Sequence, residues 1–423
     1  MKKLLYVANP FPPTATGGNA RHLRFLRYLP ESGWEATVLS VRTQGPVPDP
    51  PGVRIVRAAA LDPERLYALG RRLMGPAPRR RPAAGAAATA TGAATSPRYT
   101  SRRAPIDDWL QVPDAYVSWI VPAVRRGRRL LREERFDALF SSYPRGSAHL
   151  VAAELARESG LPWVADYRDP WLANEFHHYP TRCHQALNVR LESWALSQAG
   201  ALTAVDEPIA EGLRRRYPAL AAATSVISNG YDADEDIDEV ELGPGFWLVH
   251  TGRLYGRTEQ LAEFLTAFAA LPDDVHVLFL GVGGPEIAAR AAALGVAHRV
   301  QVEPFAPRAR ARGLQRAADA LLLITGRAPE TLTSKLFEYL ASGRPIFAVT
   351  PLHSAACHLI DEAAGGRCAA PDEPLSPALA TFVADARAGR LPPARADVVR
   401  RYDGRELTQQ LAAVLDGLTG DHG

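Results

Sequence analysis

The chain has 423 residues, of which 47% are apolar and 22% charged. That length is long for one core and suits two domains of ordinary size, each able to bury its own interior. The three cysteines, Cys183, Cys357 and Cys368, form no Cys-x-x-Cys pair, which argues against a disulfide framework or structural zinc and for a reducing compartment. A formal net charge of +3 conceals an asymmetry: 31 basic against 20 acidic residues through Gly230, and 18 against 26 after it. Such a split points to two domains with different partners.

Lys2 and Lys3 open the chain, but the apolar run that follows stops at Asn9-Pro10, short of a signal peptide. No later run is long enough to span a bilayer. A cytoplasmic protein is expected, with a basic first half compatible with peripheral contact at the inner face of a membrane. Residues 3–8 read as a buried strand. Residues 9–18 are a Pro/Gly loop ending in Gly17-Gly18, and Leu23, Leu26 and Leu29 mark a helix. Residues 36–41 and 53–56 read as further strands. Strand, glycine loop, helix, strand begins a doubly wound sheet. Gly17-Gly18 is not the Gly-x-Gly-x-x-Gly fingerprint, which counts against NAD.

Residues 75–105 are rich in Ala, Pro, Thr and Arg and almost lack large apolar residues, so a disordered insertion is expected there. Residues 124–135 carry six arginines on a helix whose charged face reads as solvated. Strands follow at 136–141 and 162–167. The second of them runs into Arg168-Asp169-Pro170-Trp171, with Asp166 as its penultimate residue. Polar loops at the carboxyl ends of neighbouring strands are where open α/β sheets bind ligands. His177, His178, Cys183 and His184 have no zinc spacing. The run from Asp232 to Asp238 lacks the glycine of a calcium loop and reads as an acidic linker. No metal site is expected.

After Asn229-Gly230 the pattern restarts. Residues 246–250 form a strand leading into Thr251-Gly252-Arg253-Leu254-Tyr255-Gly256-Arg257 and a helix. Val275–Leu280 ends in Gly281, and strands at 300–302, Ala320–Ile324 and 345–349 complete a second doubly wound domain. The last helix, 405–418, carries Leu407, Leu411, Val414 and Leu418 on one face. Three domain segments follow from this reading: 1–230, 231–403 and the terminal helix and tail, 404–423.

The stretch from Pro329 to Tyr339 concentrates the chemistry. A strand ends at Ile324, and a helix starts near Thr333, where Thr333 or Ser334 can cap it and its free N–H groups attract an anion. Lys335 lies in the first turn and Glu338 one turn further on, about 5 Å along the axis. A phosphate at the helix end and a hydroxyl-rich group one turn away would meet both, which is the shape of a nucleoside diphosphate. Only Lys2, Lys3 and Lys335 are lysine in a chain that otherwise uses arginine. A phosphate contact is a place where the two are not interchangeable.

Glu330 and Glu338, seven residues apart, followed by Ser342-Gly343-Arg344-Pro345, resemble the Glu-x7-Glu donor motif of retaining GT-B glycosyltransferases, above all glycosyltransferase family 4. Gly17-Gly18, Gly252-Arg253 and the joining segment from Ile227 to Asp232 are similar to that family as well. The resemblance implies an α/β GT-B fold. Two Rossmann-like domains face a cleft, and the C-terminal helix returns to the N-terminal domain.

The resemblance also implies roles. Glu330 lies at the donor sugar, Glu338 holds the ribose, and Arg253 binds the diphosphate with Lys335. Arg257 is the nearest cation where the family usually has a lysine. Gly17 and Gly18 line the phosphate side, and Thr333, Ser334, Gly281 and Phe305 complete the donor set. Arg168, flanked by Asp166 and Asp169, stands where many members have a histidine near the donor sugar. Positive side chains and helix N–H groups aimed at the leaving diphosphate do what a metal does elsewhere. No cofactor is then needed beyond a nucleotide diphosphate sugar, and the expected acceptor is a small molecule, a glycan or a lipid-linked sugar. Competing readings are an epimerase-type GT-B enzyme, a catalytically silent sugar-nucleotide binder, and a nucleic-acid binder. The last lacks aromatics interleaved along a basic element.

Overall fold

The structure is a computed structural model that describes residues 1–14, 18–45, 47–61, 112–172, 179, 181–254, 258–282, 284–325, 332–371 and 373–420. The expected insertion at 75–105 and the candidate residues Gly17, Arg257 and Glu330 lie outside the described residues. The chain forms two compact units, Met1–Ser228 with Thr408–Gly423, and Asn229–Leu407.

The first unit is built on seven parallel strands: β1 (Lys2–Ala8), β2 (Trp34–Val41), β3 (Arg54–Ala58), β4 (Ala138–Tyr143), β5 (Trp163–Tyr167), β6 (Ala201–Ala204) and β7 (Thr224–Val226). They lie in the order β3-β2-β1-β4-β5-β6-β7. Continuous apolar runs such as Leu4-Leu5-Tyr6-Val7 are what a sheet covered by helices on both faces requires, and all four residues are fully buried. Helices Ile120–Glu133 and Gly146–Ser159 pack closely because Gly127 has no Cβ to keep Leu155 away. The residues after Leu407 belong to this unit. Asp416 accepts from Lys2 Nζ at 2.8 Å and from Trp34 Nε1 at 3.2 Å. The buried stripe of the terminal helix Gly404–Thr419 is Leu407, Leu411 and Leu415. Val414 and Leu418 of the expected stripe are half-buried at its edge, and Leu415, four residues on from Leu411, takes the buried position.

The second unit has six parallel strands: β8 (Phe246–Thr251), β9 (Val275–Leu280), β10 (Val300–Glu303), β11 (Ala320–Ile324), β12 (Ile346–Val349) and β13 (Gly366–Ala369). Their order is β10-β9-β8-β11-β12-β13. In both units the strand order reverses beside the first strand, at β1/β4 and at β8/β11, the switch points where ligands bind in open α/β sheets. No helix among the described residues is long and apolar enough to cross a membrane.

A Schellman turn joins helix Ala355–Glu362 to β13. Gly365 N–H reaches Ile360 O at 2.8 Å and Ala364 N–H reaches Asp361 O at 3.0 Å. Ala364 therefore sits at φ 51°, the left-handed position that favours glycine. Ala364→Gly is expected to stabilise the chain by about 1 kcal/mol, because the Cβ penalty there exceeds the entropy glycine adds to the unfolded state. Urea denaturation of the two proteins measures it.

Candidate functional site

In the second unit, candidate residues gather at the carboxyl ends of β8 and β9. Gly252, at φ +85°, and Gly281, at φ +78°, turn the chain in the left-handed region, where a side chain is strained. Their backbones come close together: a Cβ at Gly281 would stand 3.7 Å from Phe305 Cδ2 and from Gly252 Cα. Phe305 itself is 79% exposed, so an aromatic face lies open beside two bare backbone turns.

Helix Ser334–Ser342 follows β11. Thr333 holds the N-cap position in an extended conformation, but its side chain makes no capping bond. The capping role expected of Thr333 or Ser334 is therefore corrected: Ser334 is the first helical residue. Lys335 is half-buried, and its Nζ donates to Arg253 O at 3.1 Å and stands 3.3 Å from His250 Nε2. The ammonium is thus fixed at the mouth of β8, beside Gly252. His250 is buried, its Nδ1 2.9 Å from Leu322 O.

Glu338, one turn beyond, is more engaged than the spacing suggested. Arg308 Nη2 donates to Glu338 Oε1 at 2.9 Å, Gln315 Nε2 to Oε2 at 3.4 Å, and Arg312 Nη1 to the Glu338 carbonyl at 2.8 Å. Burial opposes the charge on Arg308, but Glu338 and Glu235 more than offset it and hold its pKa above the ordinary arginine value. Tyr339 ties the same helix to β8, its hydroxyl accepting from Thr251 N–H at 2.8 Å. In this unit, His250, Arg308, Arg312 and Gln315 join the site without having been expected from the sequence. Arg308, Arg312 and Gln315 recur at helical spacing, a signal that was available. A cavity of about 550 Å³ lined by Phe246, Asp319 and Pro345 lies at the opposite, amino-terminal edge of this sheet, so cavity size does not mark the chemistry.

In the first unit, Asp166 lies at the end of β5 and is fully buried. Registers place Ser142 of β4 and Thr203 of β6 directly beside it, and their hydroxyls donate to it at 2.6 and 2.7 Å. Arg21, from helix Asn19–Tyr28, grips both carboxylate oxygens at 3.1 and 2.7 Å and donates to Ser228 O at 2.8 Å. Burial would raise the Asp166 pKa, but Arg21 and the two hydroxyls outweigh it and lower the value. Both oxygens of Asp166 are therefore occupied by protein donors.

Arg168 does not pair with Asp166 by a hydrogen bond. Its Nε donates to Tyr143 O at 3.0 Å, and its guanidinium lies so close to Gly18 that a Cβ there would collide with it. Gly18 has an ordinary helical backbone, with φ −74°, so torsion does not demand glycine there, and a Cβ would have to displace the end of the Arg168 side chain. Asp169 contributes attraction to the Arg168 charge, whose pKa burial pulls below the usual arginine value. The structure thus brings Gly18, Arg168, Asp166 and Arg21 together at the β1/β4 switch point. It gathers Gly281, Phe305, Lys335 and the Arg253 backbone at the second.

Residues 88–235 match the family described as Glycosyltransferase Family 4, and residues 245–385 match Glycosyl transferases group 1. The chain belongs to these glycosyltransferases. Among solved structures, Anabaena HepE in complex with UDP and glucose superposes at TM-score 0.62 with 17% identity, covering 99% of this chain and 100% of that one. A Rickettsia africae glycosyltransferase reaches 0.62 with 12% identity and 99% of each chain. WaaG, a glycosyltransferase involved in lipopolysaccharide biosynthesis, reaches 0.58 with 14% identity over 99% of this chain and 100% of its own. At these identities the likeness is one of fold, and the fold is GT-B. Comparison with curated proteins returns no match.

Two outcomes are expected of this glycosyltransferase. Asp166→Ala leaves the buried Arg21 charge unpaired and should cost about 3–5 kcal/mol of stability; Asp166→Asn, which keeps two acceptable contacts, should cost less, and chemical denaturation ranks them. His22 and His149 are buried, and burial lowers each pKa from 6.5 to about 3, with Arg168 adding to the effect at His22. Between those values only the unfolded chain takes up the two protons. The stability they leave intact above pH 6.5 is therefore lost progressively as pH falls toward 3. Thermal melts between pH 7.5 and 4.5 should show the slope, weakened in His149→Asn.

Proposed function

We propose that the chain is a retaining, metal-independent glycosyltransferase that moves a sugar from a nucleotide diphosphate sugar to a hydroxyl of a small-molecule, glycan or lipid-linked acceptor. The observation that carries this reading is Lys335: an ammonium held in the first turn of helix Ser334–Ser342, anchored on Arg253 O and beside the left-handed turn at Gly252. Departure of the sugar loads negative charge onto the diphosphate. Lys335, Arg253 and the uncapped helix N–H groups are preorganised to receive it. Glu338, oriented by Arg308, accepts from the ribose hydroxyls, and Phe305 offers its open face to the base beside Gly281. Glu330 and Arg257 belong to the same donor set, at the sugar and the diphosphate. Gly18 serves the phosphate side, and Arg168 and Asp169 the sugar and the acceptor side, with Asp166 as their fixed support. In the retaining reaction the leaving diphosphate oxygen takes the acceptor's proton.

The relatives support the substrate classes. HepE was solved with UDP and with UDP-glucose, and WaaB is a lipopolysaccharide outer core galactosyltransferase. Lys335→Ala should lower kcat about 10²- to 10³-fold, the effect of removing one donor aimed at developing charge, with an unchanged melting temperature. Near-wild-type turnover of a nucleotide sugar would remove Lys335 from the mechanism. Glu338→Gln should weaken donor binding in calorimetry more than it slows turnover at saturating donor, since a charged acceptor makes the stronger bond. Transfer should survive chelation, and NMR of the product should show the anomeric configuration of the donor. Loss of transfer restored by magnesium or manganese, or an inverted product, would overturn the corresponding part of the proposal.

A further inference from the structure

Helix Ala355–Glu362 and strand β13 hold a ligand set that the donor site does not use. Cys357 and Asp361 are four residues apart on the helix and so share one face. The Schellman turn at Ala364 and Gly365 sends the chain straight back, and the third residue of β13 is Cys368, paired with Ala348 of β12. One ligand atom from each of Cys357, Asp361 and Cys368 lies within 4.8 Å of the other two. Cys357 Sγ stands 3.6 Å from Asp361 Oδ2. A tetrahedral zinc ion with sulfur at about 2.3 Å and carboxylate oxygen at about 2.0 Å has a sulfur–oxygen edge of about 3.5 Å, so this edge is already formed.

The frame around the ligands is rigid. Ser354 caps the helix by accepting from Cys357 N–H at 3.1 Å, and its hydroxyl is held by Thr350 at 2.9 Å. Cys357 is buried and Cys368 half-buried, while Asp361 is exposed, so the set is most open to solvent at its carboxylate. Two sulfurs and one carboxylate are the donor chemistry of a thiophilic divalent ion rather than magnesium or calcium.

We propose that Cys357, Asp361 and Cys368 form a three-ligand site for zinc or a similar thiophilic divalent cation, clamping the edge strand β13 to the helix that precedes it. Binding converts two thiols to thiolates, releases two protons to solvent, and leaves water at the fourth position, on the side of Asp361. The ligands come from a helix and a returning strand, which is why a search for Cys-x-x-Cys spacing passes over them. None of the three ligands belongs to the donor set, so chelation should lower the melting temperature while leaving transfer intact below it.

The test uses the full chain, reduced, stripped with chelator and titrated with Co(II). Thiolate-to-cobalt charge-transfer absorption should grow to one equivalent and be displaced by Zn(II), and Zn(II) should raise the melting temperature. In the same unaltered protein, Zn(II) should shield Cys357 and Cys368 from alkylation, while the exposed Cys183 reacts equally with or without it. Cys357→Ser and Cys368→Ser should each abolish the cobalt absorption, and Asp361→Asn should weaken binding while keeping it. Absence of the absorption, its survival in the double serine variant, or alkylation of Cys357 and Cys368 unaffected by zinc would overturn the site. A Cys357–Cys368 disulfide that forms in place of metal binding would overturn it too.

Discussion

Parallel hydrogen bonding is the constraint from which the rest of this molecule follows. Every strand of both sheets runs the same way as its neighbours, so each chain crossover returns over a face, and both faces must be apolar. Polar chemistry is driven out of the sheet to its ends. Within each unit, reversal of the strand order opens a gap at one carboxyl edge. Gly18 and Arg168 stand at one such gap, Gly252 and Lys335 at the other. The glycines let the backbone come near a ligand, and the cations supply charge where a sheet interior could not hold it.

The two units settle their buried charges differently. In the first, Asp166 lies entirely under the surface, and Arg21, Ser142 and Thr203 satisfy both its oxygens. Such a pair fixes geometry more than it stabilises, since desolvation absorbs most of the attraction. In the second, Glu338 keeps some exposure, and Arg308 is shared between it and Glu235. A carboxylate that protein donors hold but solvent still reaches can exchange a protein contact for a ligand hydroxyl; one enclosed by three partners and fully buried cannot. Asp166 and Glu338, alike in sequence as acids near strand ends and helix starts, are therefore suited to support and to contact respectively.

Strands with long apolar runs stood out from the sequence because burial on both faces leaves no other composition: Val275–Leu280 and Ala320–Ile324 have the bounds the pattern predicts. β6, β7 and β13 did not stand out. They are three or four residues long, with sequences Ala-Leu-Thr-Ala, Thr-Ser-Val and Gly-Arg-Cys-Ala, and their pairing comes from neighbours already in place rather than from their own propensity. Lys335 stood out by rarity and Glu338 by spacing. The spacing of Arg308, Arg312 and Gln315 marks one helix face, but that His250, Arg308 and Gln315 meet Lys335 and Glu338 across separations of 85, 30 and 23 residues is not encoded in local pattern. Gly17-Gly18 reads as room for a ligand's approach, whereas the space a Cβ would fill at Gly18 holds the end of the Arg168 side chain.

That last contact ties two distant positions into one decision. With the Arg168 guanidinium where it lies, a side chain at residue 18 has to displace it; with a shorter residue at 168 there is nothing to displace. The two sites are thus coupled through the position of one guanidinium. A lineage that enlarged residue 18 would push Arg168 from its hold on Tyr143 O unless it had first trimmed residue 168, so the cost of each step depends on which comes first. Variation at the edge of β5 would then set which side chains the first loop is permitted to explore.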